Sequence, residues 1–142
     1  MAEKTIRILG IDLGEARTGV AISDPTGFLA GGIECIKSED KNFLIGRIIE
    51  ISKEYGVSLI VVGDPVNMDG SHGEKSKNAA AFAELLSEKS GIKTVLADER
   101  CTTMQAHKFL NETNTRGKKR KAAVDTLSAE IILQNYLDKI KK

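Results

Sequence analysis

Apolar residues recur with three different spacings along this chain, and each change of spacing marks a new element. Over residues 5–12, Ile6, Ile8, Gly10 and Asp12 share one face of an extended strand, and Arg7, Leu9, Ile11 and Leu13 share the other. Both faces are mostly apolar, which predicts a central strand covered on both sides. A turn at 14–17 leads to a second strand over 18–23. A β-turn at 24–27 follows, with Pro25 at its second position and Gly27 at its fourth. A third strand then spans 28–36, and the short connections make the three strands antiparallel neighbours.

From residue 40 the spacing lengthens. Phe43, Leu44, Ile48, Ile51 and Tyr55 recur at helical intervals until Gly56 stops the helix. Residues 58–63 are a short β-branched run suited to a fully buried parallel strand. Residues 64–75 are rich in Asp, Asn, Ser and Gly and read as a loop. Ala79 to Leu86 is helical and ends before Gly91, residues 92–97 form a fifth strand, and two helices follow over 102–113 and 118–140. The order βββαβαβαα, a meander followed by two crossovers, gives an α/β fold: one mixed sheet with helices on both faces. The 142 residues suit a single domain over 1–142.

Composition narrows the class. Hydrophobic content of 41% with 29% charged residues is that of a soluble globular protein. No signal-peptide apolar region precedes the first strand, and no apolar run approaches the roughly 20 residues a membrane span needs. Cys35 and Cys101 form no C-x-x-C pair, so a reduced, cytoplasmic protein is expected. The net charge of +1 excludes a polybasic protein, so any contact with nucleic acid must rest on local clustering.

The chemistry lies in three acidic positions. Asp12 ends the first strand, and Asp98 and Glu99 end the fifth. Asp125 falls on the stripe Ala122, Asp125, Ala129, Ile132, Leu133, Tyr136 and Ile140, the inward face of the last helix. Carboxylates gathered in a partly buried place need a cation, and oxygen ligands suit Mg²⁺ or Mn²⁺. A turn-stabilising role is the plain alternative for Asp12. Strand parity joins Glu99 to Val95 and Ala97, and Asp98 to Thr94 and Leu96, without saying which set shares a face with Asp12.

Five of the six residues 116–121 are basic: Arg116, Lys118, Lys119, Arg120 and Lys121. With Arg17, Lys75 and Arg100 they are candidates for neutralising backbone phosphates. Aromatic residues make up only 4% and there is no Trp, which favours backbone contact over base stacking. The segment 63–76 leaves the C-terminal end of a parallel strand, where α/β proteins bind ligands. There Gly70 permits close backbone approach, Asn67 and Ser71 are potential phosphate donors, and His72 is either a proton-transfer group or an ordinary surface histidine.

Taken together, Gly-Ile-Asp-Leu-Gly (10–14), Asn-Met-Asp-Gly-Ser (67–71), Asp-Glu-Arg-Cys-Thr-Thr (98–103), Val-Asp (124–125) and Ile-Leu-Gln-Asn-Tyr-Leu (132–137) resemble the YqgF family over essentially the whole chain. These are bacterial Holliday junction resolvases, also described as pre-16S ribosomal RNA nucleases. The resemblance implies a ribonuclease H-like fold with strand order 3-2-1-4-5. It also implies that Asp12, Glu99 and Asp125 form the metal-binding catalytic set, and it is the resemblance that selects Glu99 over Asp98. Position 64 is usually apolar in the family but is Asp64 here, either a fourth carboxylate for the site or a solvent-facing group.

The activity so implied is phosphodiester hydrolysis assisted by two Mg²⁺ or Mn²⁺ ions. The substrate is either structured RNA, at the 5′ end of pre-16S rRNA and with the ribosomal particle as a partner, or branched DNA. A four-way junction needs two active sites and hence a dimer. The chain has no evident dimer seam, which favours RNA and a monomer or weak homodimer. Two rival readings remain: a phosphate-binding ATPase or kinase-like module built on the 10–24 segment, and a catalytically silent nucleic-acid-binding or ribosome-assembly factor.

Overall fold

The strands are β1 (Ile8–Asp12), β2 (Arg17–Ser23), β3 (Ala30–Lys37), β4 (Leu59–Asp64) and β5 (Lys93–Asp98), and the helices are α1 (Lys41–Tyr55), α2 (Glu74–Ser90) and α3 (Gly117–Ile140). They come from a computed structural model that describes residues 7–27, 29–65, 71–98 and 117–140, the side chains of 98 and 117–125 excepted. The strands form one sheet in the order β3-β2-β1-β4-β5. The first three are antiparallel, and β4 and β5 run parallel to β1. This is the expected topology with β1 at its centre. The helix expected over 102–113 lies outside the described residues.

The two faces of the sheet carry separate cores, as the two-sided apolar pattern of β1 requires. On one face Leu9, Ile11, Val20, Ile60 and Val62 pack against Leu44, Ile45, Ile48 and Ile51 of α1 and Phe82, Ala83 and Leu86 of α2. On the other, Ile8, Ala21 and Val61 pack against Ala129, Ile132, Leu133 and Leu137 of α3. Each fully buried Leu or Ile contributes about 1.5–3 kcal/mol through lost water contact. Ile140 departs from the predicted inward stripe and is 52% exposed, whereas Leu137 is fully buried. A helical wheel gives direction but not the point where a helix outruns its sheet.

Local chemistry fixes the helix ends. Asp40 caps α1 by accepting from Asn42 N and Phe43 N, and left-handed glycines at 56 and 91 stop α1 and α2. α2 begins at Glu74, five residues before the apolar pattern does. Its first turn is polar and mostly exposed, so spacing alone gave no sign of it.

α3 also covers the outer edge of β3. Ala30 N donates to Gln134 Oε1 at 2.9 Å, and Gly32 N donates to Glu130 Oε1 at 2.7 Å. On the opposite face Arg47 of α1 grips Glu34 of β3 with two hydrogen bonds, at 2.7 and 3.0 Å. The bond from Arg47 holds the Glu34 carboxyl below the usual glutamate range, against a smaller opposing effect of burial. A lowered carboxylate pKa stabilises the fold above its unfolded value, and that stabilisation is lost as pH falls through the folded value. Glu34→Gln is therefore expected to be less stable than the wild type at neutral pH. In urea titrations the gap should close once the pH is well below the ordinary glutamate value of about 4.3. Both side chains are about one-third exposed (32% and 31%), so the gap is small.

Candidate active site

Asp12 is the last residue of β1, and the turn after it is shaped by one glycine. A Cβ on Gly14 would lie 2.0 Å from the Arg17 carbonyl oxygen, so no other residue lets the chain fold back this tightly. Gly14 N donates to the Oγ1 of buried Thr18, at 3.5 Å. Asp12 itself is half-buried and faces Gly19 across the ladder.

Parity assigns Asp12 to the α3 face, with Ile8 and Gly10. A Cβ on Gly10 would sit 2.7 Å from Leu133 Cβ and 3.2 Å from the Ala129 carbonyl oxygen, so α3 crosses β1 in backbone contact at this point. The direction of α3 follows from its grip on β3. Gln134 meets Ala30 and Glu130 meets Gly32, and Gly32 is level with Ala21 and Gly10. Moving from 134 back to 130 thus moves toward the Asp12 end of β1. Asp125 stands one turn before Ala129, about 5.4 Å along the axis, and Asp12 stands two strand residues beyond Gly10, about 6.7 Å. The helix backbone carries position 125 to the same end of the sheet as Asp12.

The two faces of β5 are packed differently. Val95 and Ala97 pack on the α3-side core, while Leu96 is 39% exposed. The odd-numbered positions of β5 therefore share the face of Asp12. Glu99, Arg100 and Arg116 lie outside the described residues, as do Asn67 and Gly70. Lys118, Lys119, Arg120 and Lys121 fall in the first turns of α3, at the same end of the helix as Asp125. Among the described residues no three His, Cys, Asp or Glu side chains form a metal-holding group. Residue 99 and the side chain of 125 lie outside the described residues.

Asp64 is not solvent-facing. It lies on the α1/α2 face with Ile60 and Val62, only 8% exposed, and accepts a short hydrogen bond from the Ser76 hydroxyl. His72 Nδ1 is 2.8 Å from Ser76 Oγ and 3.6 Å from Asp64 Oδ2. So His72, itself exposed, joins a small polar cluster that ties the start of α2 to the end of β4. Among the described residues, Ser76→Ala removes the one short hydrogen bond to the buried carboxylate. It should cost about 1–3 kcal/mol in chemical denaturation.

A groove of about 260 Å³ opens on the α1/α2 side of the β1 tip, lined by Asp12, Gly14, Lys41, Pro65, Lys75 and Asn78. The expected Lys75 thus lies at Asp12, in the first turn of α2. Arg17 starts β2, half-buried, and Ser71 is exposed. Sequence reasoning missed Lys41, Asn78 and Ser76. Lys41 is separated from Lys75 by two elements, and nothing in its local pattern signals that the two meet.

The strand order, the face shared by Asp12 and the odd β5 positions, and the crossing of α3 at Gly10 describe a ribonuclease H-like core. The family model described as "RuvX: Holliday junction resolvase" matches residues 6–139. The chain belongs to this family. A relative from Ruminiclostridium cellulolyticum is 46% identical over 136 residues, covering 95% of this chain and 96% of its own length. One from Leuconostoc mesenteroides is 43% identical, covering 94% and 95%. Both carry the name "Putative pre-16S rRNA nuclease". Among solved structures, Thermus thermophilus RuvC in complex with Holliday junction substrate superposes with a TM-score of 0.61 at 13% identity, covering 96% of this chain and 97% of that one. The fowlpox virus resolvase with its Holliday junction DNA gives 0.58 at 15% identity, covering 96% and 100%. At such identities the likeness speaks for the fold, and it is the fold that the resemblance implied. No described helix is long and apolar enough to cross a membrane.

Proposed function

We propose that this chain is a single-domain, metal-dependent endonuclease that hydrolyses phosphodiester bonds in structured RNA, maturing the 5′ end of pre-16S rRNA in the cytoplasm. Asp12, Glu99 and Asp125 hold the cations in this reading. One observation carries it: α3 crosses β1 at Gly10, with Asp12 and the odd β5 positions on the α3 face and position 125 at the Asp12 end. The donor chemistry fits. Asp12 is an oxygen ligand, half-buried at a strand tip beside a groove open enough to admit a phosphate, and hard divalent ions such as Mg²⁺ or Mn²⁺ take such ligands. When bound, the ions supply an activated water and stabilise charge on the leaving oxygen.

The chain's own residues do the remainder. The β1–β2 turn fixes Asp12 against the sheet, and the close α3 contact fixes the height of position 125. Lys75 and the basic run at the start of α3 neutralise substrate phosphates, so the backbone is held by charge rather than by base reading. The names of the relatives, which match over nearly their whole length, favour RNA, and the family's description keeps branched DNA as the second reading. The deciding experiment is a cleavage assay on a pre-16S rRNA fragment and on a four-way DNA junction, with and without Mn²⁺, with Asp125→Asn as control. Metal-dependent RNA cleavage lost in the variant supports the proposal. Binding without cleavage, unchanged in Asp12→Asn and Asp125→Asn, would leave only a silent assembly factor.

A further inference from the structure

The groove at the β1 tip holds two lysines from different elements. Lys41 opens α1 and Lys75 lies in the first turn of α2, and Asn78 adds a neutral polar group one turn after Lys75. Among the described residues, neither lysine has a carboxylate partner. Lys41 is instead held over the ring of buried Phe82, with Nζ 5.9 Å from its centre. A cation near the start of a helix also sits at the unfavourable end of the helix dipole. Two such cations converge on one cavity, which the small, buried Ala79 also lines. The same groove is lined by the carboxylates of Asp12 and Glu15, neither of which pairs with the lysines, and an anion in the groove would offset the unfavourable placement of both cations.

Asp12 lies at the rim, so the anion sits beside the candidate reaction centre. The first turns of α3, whose sequence is basic, lie at the same end of the sheet on its other face.

We propose that Lys41, Lys75 and Asn78 form a subsite for a non-scissile backbone phosphate of the substrate strand, neighbouring the phosphate that is cleaved. The proposal rests on the nuclease reading above. Its residues are positioning groups: they fix where the strand lies over Asp12 and take no part in bond cleavage. The consequence is a register-setting clamp, in which binding and the choice of cleavage position depend on the groove while the chemical step does not.

The test separates the subsite from the nuclease reading. Binding of a fluorescein-labelled pre-16S rRNA fragment is measured by anisotropy over a salt series, in Ca²⁺ to suppress turnover. The proteins are wild type, Lys41→Ala, Lys41→Arg and Lys41→Ala/Lys75→Ala. Each lost phosphate contact lowers the slope of log affinity against log salt by about 0.7–0.9. The double variant should therefore have a slope shallower by about 1–2 units and at least tenfold weaker binding at low salt. Lys41→Arg should retain most of the affinity. In Mg²⁺, the double variant at saturating RNA should keep its kcat while its KM rises and its cleavage position becomes less uniform. An unchanged salt slope in the double variant, in a protein that melts normally, would overturn the subsite even if the RNA is cut. Calorimetry with ATP and with inorganic phosphate distinguishes a free phosphate ligand. Micromolar binding of either, lost in the double variant while RNA affinity stays the same, would also overturn it. Loss of cleavage in Asp12→Asn tests the nuclease reading independently.

Discussion

Asp12→Asn should reduce metal-dependent cleavage of structured RNA by at least about a thousandfold, the largest functional effect expected of any single substitution here. In the proposed reading, several kcal/mol of transition-state stabilisation would depend on cations held at the strand tip, and each 1.36 kcal/mol is about a tenfold change in rate. The exchange of one oxygen for an amide leaves size and shape unchanged. Asp12 is half-buried at the end of a strand whose other residues carry the packing, so the variant should melt close to the wild type. RNA binding measured without turnover should survive, because it draws on the lysines and on the basic start of α3. Asp64→Asn is the matched control. It too alters a buried acid at a strand end, but its carboxylate is engaged by Ser76 on the opposite face, so it should cost stability while leaving cleavage intact. Full activity in Asp12→Asn, or loss of activity in Asp64→Asn without loss of folding, would overturn the assignment of the site.

The second large effect is structural. Gly10→Ala places a methyl group 2.7 Å from Leu133 Cβ and 3.2 Å from the Ala129 carbonyl oxygen. Neither atom can step aside, since one is fixed to the α3 backbone and the other belongs to it. The helix must lift from the sheet, and overpacking of this kind costs about 1–3 kcal/mol. For a chain of 142 residues that is a fall in Tm of roughly 3–12 °C by calorimetry. Lifting α3 also displaces position 125 relative to Asp12. Activity at a temperature where the variant is fully folded should therefore fall by more than its folded fraction, since small misplacements of a catalytic constellation cost up to about a hundredfold. Ile8→Val trims the same core without moving the helix, and should lower Tm with no loss of activity per folded molecule.

Much of the fold was legible because its signals are local. The two-sided apolar run of β1, the Pro25–Gly27 turn and the stops at Gly56 and Gly91 each act within a few residues, and each holds. What failed also has a physical reason. The polar first turn of α2 has no apolar repeat to betray it, and the burial of Asp64 depends on Ser76, twelve residues away, folding back over it. The candidate site was legible in part. Asp12 stood out as a carboxylate closing an apolar strand. The choice between the two faces of β5 needed the packing of Val95 and Ala97, which no single-strand pattern contains. The convergence of Lys41 and Lys75 is purely tertiary: two helix starts, with α1 itself and β4 between them in the chain, meet at one groove.

The hydrogen bonds that Gln134 and Glu130 accept from Ala30 N and Gly32 N use two main-chain donors on the rim of the sheet. An incoming foreign strand would find those donors already taken and would have to displace a helix held by its own buried Leu133 and Leu137. Intermolecular sheet extension, and the fibril growth that can start from it, is therefore blocked along this border by the same helix that carries Asp125.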